Sequence, residues 1–164
     1  MNVNLSINLY PTKCNLCSGR VMYTSNADIY GKEYGSGKCY LCTSCRAYVG
    51  THVPRPKEAL GLLADRNMRK GKMMCHEIFD SKWKNKNKAK RKRNELYYWL
   101  ARQLDISRED CHFGYFDITT LRKAYRILLQ IKDEELQYNA GGRIINEVNK
   151  SEEEQNAIKE PISV

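Results

Sequence analysis

Apolar positions along this chain follow two different rhythms. Between residues 10 and 52 they come in short runs broken by glycine and cysteine: "RVMYT" and "CYL" alternate as strands do. Between them, "SNADIYGKEYGSGK" carries Gly31, Gly35 and Gly37 and predicts a loop or hairpin turn. Pro54 and Pro56 in "HVPRPKE" form a short stiff joint, after which the rhythm becomes helical. The first predicted helix is capped by Asp65 and carries Met68, Cys75, Ile78, Phe79 and Trp83 at helical spacing, with Gly71 as a weak point. A second lies in "NELYYWLARQLD", where Leu96, Trp99, Leu100, Gln103 and Leu104 share one face. A third starts at Asp117 or Thr119 and aligns Leu121, Ala124, Tyr125, Leu128 and Leu129. These apolar stripes predict core.

Charge adds a second feature. The 164 residues are 29% charged with a net charge of +9, and a mean hydropathy of −0.67 leaves only a lean core. From Asp133 onward there are eight acids against three bases, a net of −5, which leaves +14 on the residues before. A body so basic suits an anionic partner. The densest run, "KWKNKNKAKRKR" at 82–93, has eight basic residues in twelve. Its period-two spacing scatters charge around a helix, which predicts a mobile, solvated basic loop. The polar stretch after about residue 139 predicts disorder or loose helix, able to compete for the basic surface. No apolar run is long enough to span a membrane, and "MNVNLSINLYPTK" lacks the pattern of a signal peptide. A cytoplasmic, reducing location is therefore expected.

In such a compartment, seven cysteines in paired clusters predict metal binding rather than disulfides. Cys14 and Cys17 form one pair. Cys39, Cys42 and Cys45 offer two candidates for the other. Thr43 and Ser44 tolerate the turn between paired thiolates, whereas Tyr40 and Leu41 favour a strand, so the site is read as Cys14, Cys17, Cys42 and Cys45, with Cys39 a free thiol in the strand. The 24-residue spacer needs a long hairpin. Four thiolates close a tetrahedron around Zn²⁺, so this is a structural metal. Lys13, Arg20, Lys38 and Arg46 flank it and offset its negative charge.

The fold expected is therefore α+β: an N-terminal zinc ribbon of short antiparallel strands over residues 1–53, packed on a small domain of about three helices over 57–132. An acidic, partly disordered extension follows over 133–164. The three histidines, His52, His76 and His112, with Cys111 or Asp117 added, make a candidate second zinc or acid–base site. No ligand spacing such as H-x3-H supports it, and imidazoles hydrogen-bonded across the junction between ribbon and helices are the simpler reading. There is no P-loop, GxSxG, HExxH or paired nuclease carboxylate motif. "GKEYGSGK" lacks phosphate-loop spacing.

The run "CNLCSGRVMY…DIYGKEYG…CYLCTSCRAYVGTH", then "LGLLAD", "CHEIFDSKW", "LYYWLARQLDI" and "CHFGYFD", resembles a phage-encoded zinc-finger-containing domain family over about residues 10–131. The resemblance implies the same four ligands and a viral or prophage origin, but no reaction. The basic run at 84–93 and the acidic extension depart from it. Phage origin, small size and missing catalytic motifs suggest a non-enzymatic inhibitor that binds a host nucleoprotein, most concretely a type II CRISPR effector nuclease. The alternative is a zinc ribbon binding DNA or RNA. Its contacts would be Arg20, Lys32, Lys38 and Arg46 beside Tyr23, Tyr30, Tyr34 and Tyr40, with Lys84, Lys86, Lys88, Lys90, Arg91, Lys92 and Arg93 adding long-range attraction. A metal-dependent enzyme using the histidine site is the third reading.

Overall fold

The computed structural model describes residues 7–131 and 136–148. They form two compact units that divide between Arg69 and Lys70. The acidic stretch at 149–164, read from the sequence as partly disordered, lies outside the described residues, as do residues 132–135.

The first unit is a three-stranded antiparallel sheet in the order β1 (Val21–Ser25), β2 (Lys38–Cys42), β3 (Tyr48–Gly50). Val21 pairs with Cys42 and Thr24 with Cys39, while Cys39 pairs with Gly50 on the other side. As the central strand, β2 is buried on both faces from Cys39 to Cys42. Successive side chains of a strand point to opposite faces. Tyr40 and Cys42 therefore enter the core with Cys14, Val21, Ala47, Val49, Ala59 and Leu63, and Cys39 and Leu41 take the other side. The loop expected at 25–38 contains a short helix, α1 (Ala27–Tyr30), closed by Gly31 in the left-handed conformation. Asn26 organises it from a buried position: its amide donates to Tyr34 O at 2.8 Å and accepts from Tyr34 N at 3.1 Å.

Pro54 and Pro56, read from the sequence as the end of the ribbon, lie within a return stretch. The chain comes back along the sheet through bridges Thr51↔Ala59 and Tyr48↔Ala64, and Ala59 and Leu63 are buried there. A lean three-stranded sheet needs that cover. The unit consequently runs on to Arg69.

Helix α2 (Arg66–Ser81) starts where expected, with Asp65 Oδ1 accepting from Met68 N at 2.8 Å. The second unit continues with α3 (Ala89–Leu104), a single 3-10 turn at Phe113–Tyr115, and α4 (Ile118–Leu129), whose cap Asp117 accepts from Thr120 N. Its core joins Cys75 and Phe79 of α2, Leu96, Trp99 and Leu100 of α3, Phe113 and Phe116, and Leu121, Ala124, Ile127 and Leu128 of α4. On α4 the buried face includes Ile127 where the sequence suggested Leu129, which is 53% exposed. At 100° per residue, Leu129 falls outside the arc set by Leu121, Ala124 and Leu128.

Two expectations for this unit are corrected. Residues 82–93 are not a solvated loop throughout. Lys82 is buried and donates to Ile131 O, and Lys90, Arg91, Lys92 and Arg93 belong to α3. Nor is the stretch after 139 loose as far as residue 148. Ile144 is buried, its N–H donates to Glu95 Oε1 at 3.0 Å, and Asn146 O accepts the buried indole N–H of Trp99 at 3.0 Å. A buried indole donor needs a partner, and this segment supplies it.

Candidate metal centre

Cys14 and Cys17, and Cys42 and Cys45, sit in two turns of one design. In the first, Ser18 N donates to Cys14 O at 3.0 Å and Cys14 N to Gly19 O at 2.8 Å; in the second, Arg46 N donates to Cys42 O at 3.2 Å and Cys42 N to Ala47 O at 2.8 Å. Ser18 and Arg46 both take the left-handed conformation, at φ 64° and 66°. Each turn thereby aims backbone N–H groups at sulfur. Leu16 N lies 3.4 Å from Cys14 Sγ and Gly19 N 3.3 Å from Cys17 Sγ, while Ser44 N lies 3.4 Å from Cys42 Sγ. Donors aimed at sulfur stabilise thiolate over thiol.

The β1–β2 pairing brings the two turns together. Cys14 Sγ is 3.7 Å from Cys45 Sγ and Cys17 Sγ is 3.4 Å from Cys42 Sγ, and the four sulfurs all lie within 4.8 Å of one another. Sulfurs about 2.3 Å from a tetrahedral zinc would be about 3.8 Å apart, so the group fits one zinc. Gly19 permits the approach, since a Cβ there would meet Ser44 Oγ at 2.6 Å. Asn15, which sequence reasoning missed, fastens the first turn to the return stretch. Its amide donates to Leu63 O and accepts from Leu63 N, both at 2.9 Å. An Asn between two ligands invites only a turn assignment, so no sequence signal pointed to that long-range pairing.

The electrostatics also call for a dication. Backbone N–H donors of Cys45 and Ser44 help pull the Cys42 thiol down to about 6. Cys45 goes the other way: Ala47 N–H favours its thiolate, but burial and the sulfurs of Cys17, Cys42 and Cys14 together push it up to about 12. The first proton leaves readily and the last is held, because negative charge accumulates among crowded sulfurs. Zinc removes that conflict, and with four protein ligands it has no open position for chemistry. Its role is to cross-link the two turns. Protons compete for the same lone pairs, so zinc affinity is expected to fall as pH drops through about 6 and to rise above it. Competition with a chromophoric chelator across pH measures this. A pH-independent affinity would contradict thiolate ligation.

The other cysteines stay out. Cys39 shares β2 with Cys42 but, three residues away, faces the opposite side of the sheet. It is buried, and desolvation raises its thiol above the usual range. Cys75, donating to Leu121 O, and Cys111 are also buried, and desolvation lifts both to about 12. All three are inert thiols.

The second site read from the sequence finds no support. Among the described residues, no other group of three or more His, Cys, Asp or Glu converges as ligands. His52 belongs to the first unit. In the second, the His76 ring lies 4.8 Å from Phe113 and the His112 ring 4.8 Å from Tyr115, so aromatic rings are their neighbours. Arg20 and Arg46 are exposed near the sulfurs, and Lys38 lies beside Tyr23. In the second unit, Lys84 pairs with Asp80 at 2.7 Å, and Lys88, Arg91 and Lys92 line a cleft of about 230 Å³ with Tyr138 and Gly142.

Two knuckle turns, a three-stranded sheet and a closed four-cysteine site define a zinc ribbon, followed in this chain by a helical unit. A family model of zinc-finger-containing domains matches residues 10–131, and the chain belongs to that family. No curated protein and no solved structure matches it. Among the described residues, no helix is long and apolar enough to cross a membrane.

Proposed function

We propose that this protein works by binding, not catalysis, and that it holds a single strand of nucleic acid on the ribbon unit. The observation that carries this reading is a set of exposed tyrosines beside cations. Tyr23, Tyr30 and Tyr34 are each about half exposed. Lys38 Nζ lies 5.9 Å from the Tyr23 ring centroid and Lys32 Nζ 5.1 Å from that of Tyr34. Tyr30 packs edge-on against both Tyr34 and Tyr48. A hydrogen bond with Tyr48 holds its phenol neutral, raised to about 12. Rigid rings flanked by cations offer bases a stacking surface and phosphates a counter-charge, with little sequence selectivity. The zinc cross-link holds β1 and β2, which carry two of the partners, in register.

Tyr34→Ala is expected to weaken binding of a short oligothymidylate by about 1–3 kcal/mol, the usual worth of a base–aromatic stack. Changing Lys84, Lys86, Lys88 and Lys90 together to Gln should flatten the salt dependence, by about 0.7 in slope for each phosphate no longer neutralised. Fluorescence anisotropy over a salt series reads both. A chain that binds no oligonucleotide, yet retains a host nucleoprotein after nuclease treatment, would reject this reading in favour of the inhibitor suggested by the phage resemblance.

A further inference from the structure

The helical unit holds a cationic cluster that neither the zinc site nor the tyrosine surface uses. At its centre is Tyr97, a buried ring of α3 packed on Phe79. Two guanidiniums lie over it: Arg93 Cζ is 5.0 Å and Arg108 Cζ 4.5 Å from the ring centroid. Arg93 also lies 5.6 Å over Trp83, whose ring has Lys84 Nζ at 5.8 Å, and Arg108 lies 5.6 Å over the exposed Tyr98. The His112 ring is 6.5 Å from Tyr97, and His76 rests on the neighbouring Phe113.

Two acids share the cluster and already have donors. Asp80 accepts from Lys84 Nζ and from the Trp83 indole, and Asp110 accepts from Ser107. Arg108 Nε is buried with no hydrogen-bond partner among the described residues, a costly donor to leave unmade. Stacking occupies the face of a guanidinium and leaves its N–H edge free for an oxyanion. Both imidazoles titrate below the ordinary value, chiefly through desolvation; at His112 Arg108 and Arg93 add to the lowering against Asp110, whereas at His76 Asp80 opposes it more strongly than Arg93, Lys72 or Lys84 adds to it.

We infer that this cluster is a phosphate-binding site, in which Arg93 and Arg108, oriented by Tyr97 and Trp83, present their N–H edges to the oxygens of a phosphate ester. That the ester belongs to a nucleic-acid strand rests on the function proposed above; the anion site itself does not.

The test uses the full zinc-loaded chain, following the imidazole resonances of His112 and the indole resonance of Trp83 by NMR. Inorganic phosphate is expected to shift them saturably, beyond any shift from chloride at equal ionic strength. Arg93→Gln, at an exposed position, should abolish the response, and Arg108→Lys, which keeps the charge but loses the planar fork, should weaken it about tenfold. No phosphate-specific shift, or a shift that Arg93→Gln leaves intact, overturns the site. Phosphate shifts without oligothymidylate binding leave the site standing and reject the nucleic-acid reading. Oligothymidylate binding that both variants leave unchanged, where phosphate still shifts the parent, overturns the assignment of the ester to a nucleic-acid strand and leaves the anion site standing.

Discussion

Cys42→Ser is expected to release the zinc and unfold the ribbon unit. Cys42 supplies one of four converging sulfurs, and its backbone also carries the second turn, through Cys42 N to Ala47 O and Arg46 N to Cys42 O. A structural zinc of this kind contributes about 10–16 kcal/mol of binding energy, most of it folding energy where the apolar core is small. Among the described residues, the buried apolar cluster at the site has eight members, two of them ligands. Hydroxyl is a poor substitute for thiolate at zinc. The matched control is Cys39→Ser, three residues away on the opposite face of β2, which should cost about 1–3 kcal/mol for a buried hydroxyl and leave the metal in place. Elemental analysis after dialysis against a weak chelator, with far-UV circular dichroism, reads both variants. One zinc per chain is expected in the parent and in Cys39→Ser. A Cys42→Ser chain that keeps its zinc and its fold would refute the assignment.

Phe79→Ala carries the largest expected effect in the helical unit. Phe79 is fully buried on α2, with Tyr97 at 4.3 Å and Phe113 at 5.5 Å between ring centroids. Truncation strips apolar packing from α3 and from the 3-10 turn at once, and leaves a cavity too well lined to collapse. Such changes cost about 3–5 kcal/mol, a large share of the 5–15 kcal/mol typical of a small protein. Urea denaturation followed by the fluorescence of Trp83 and Trp99 should show the lowered midpoint. Zinc stoichiometry should not change, because Phe79 touches no ligand. A loss below about 1 kcal/mol would mean that this aromatic cluster is not the packing centre.

Much of the fold was legible because its signals are local. The choice of Cys42 with Cys45 rested on which residues tolerate a turn, and the matched hydrogen bonds of the two turns show the physical basis. Asp65 and Asp117 cap helices from three residues' distance, within reach of sequence reasoning. The basic run was harder. Its spacing described the spread of charge but not what Trp83, Tyr97 and Asp80 would do with it. The histidines invited a metal reading because residue type is visible in a sequence and convergence is not.

The sequence by itself determined the four ligands, the turn-tolerant Thr43 and Ser44 that set Cys39 aside, and the start of each capped helix, because these depend on steric and hydrogen-bonding preferences within a few residues. Tertiary structure alone decided that Lys82 is buried against Ile131, that Asn15 clasps Leu63 and that Trp99 is satisfied by Asn146. Each joins residues nearly fifty positions apart. A buried polar group is tolerated only where a partner arrives, and at that range the three-dimensional path of the chain selects the partner.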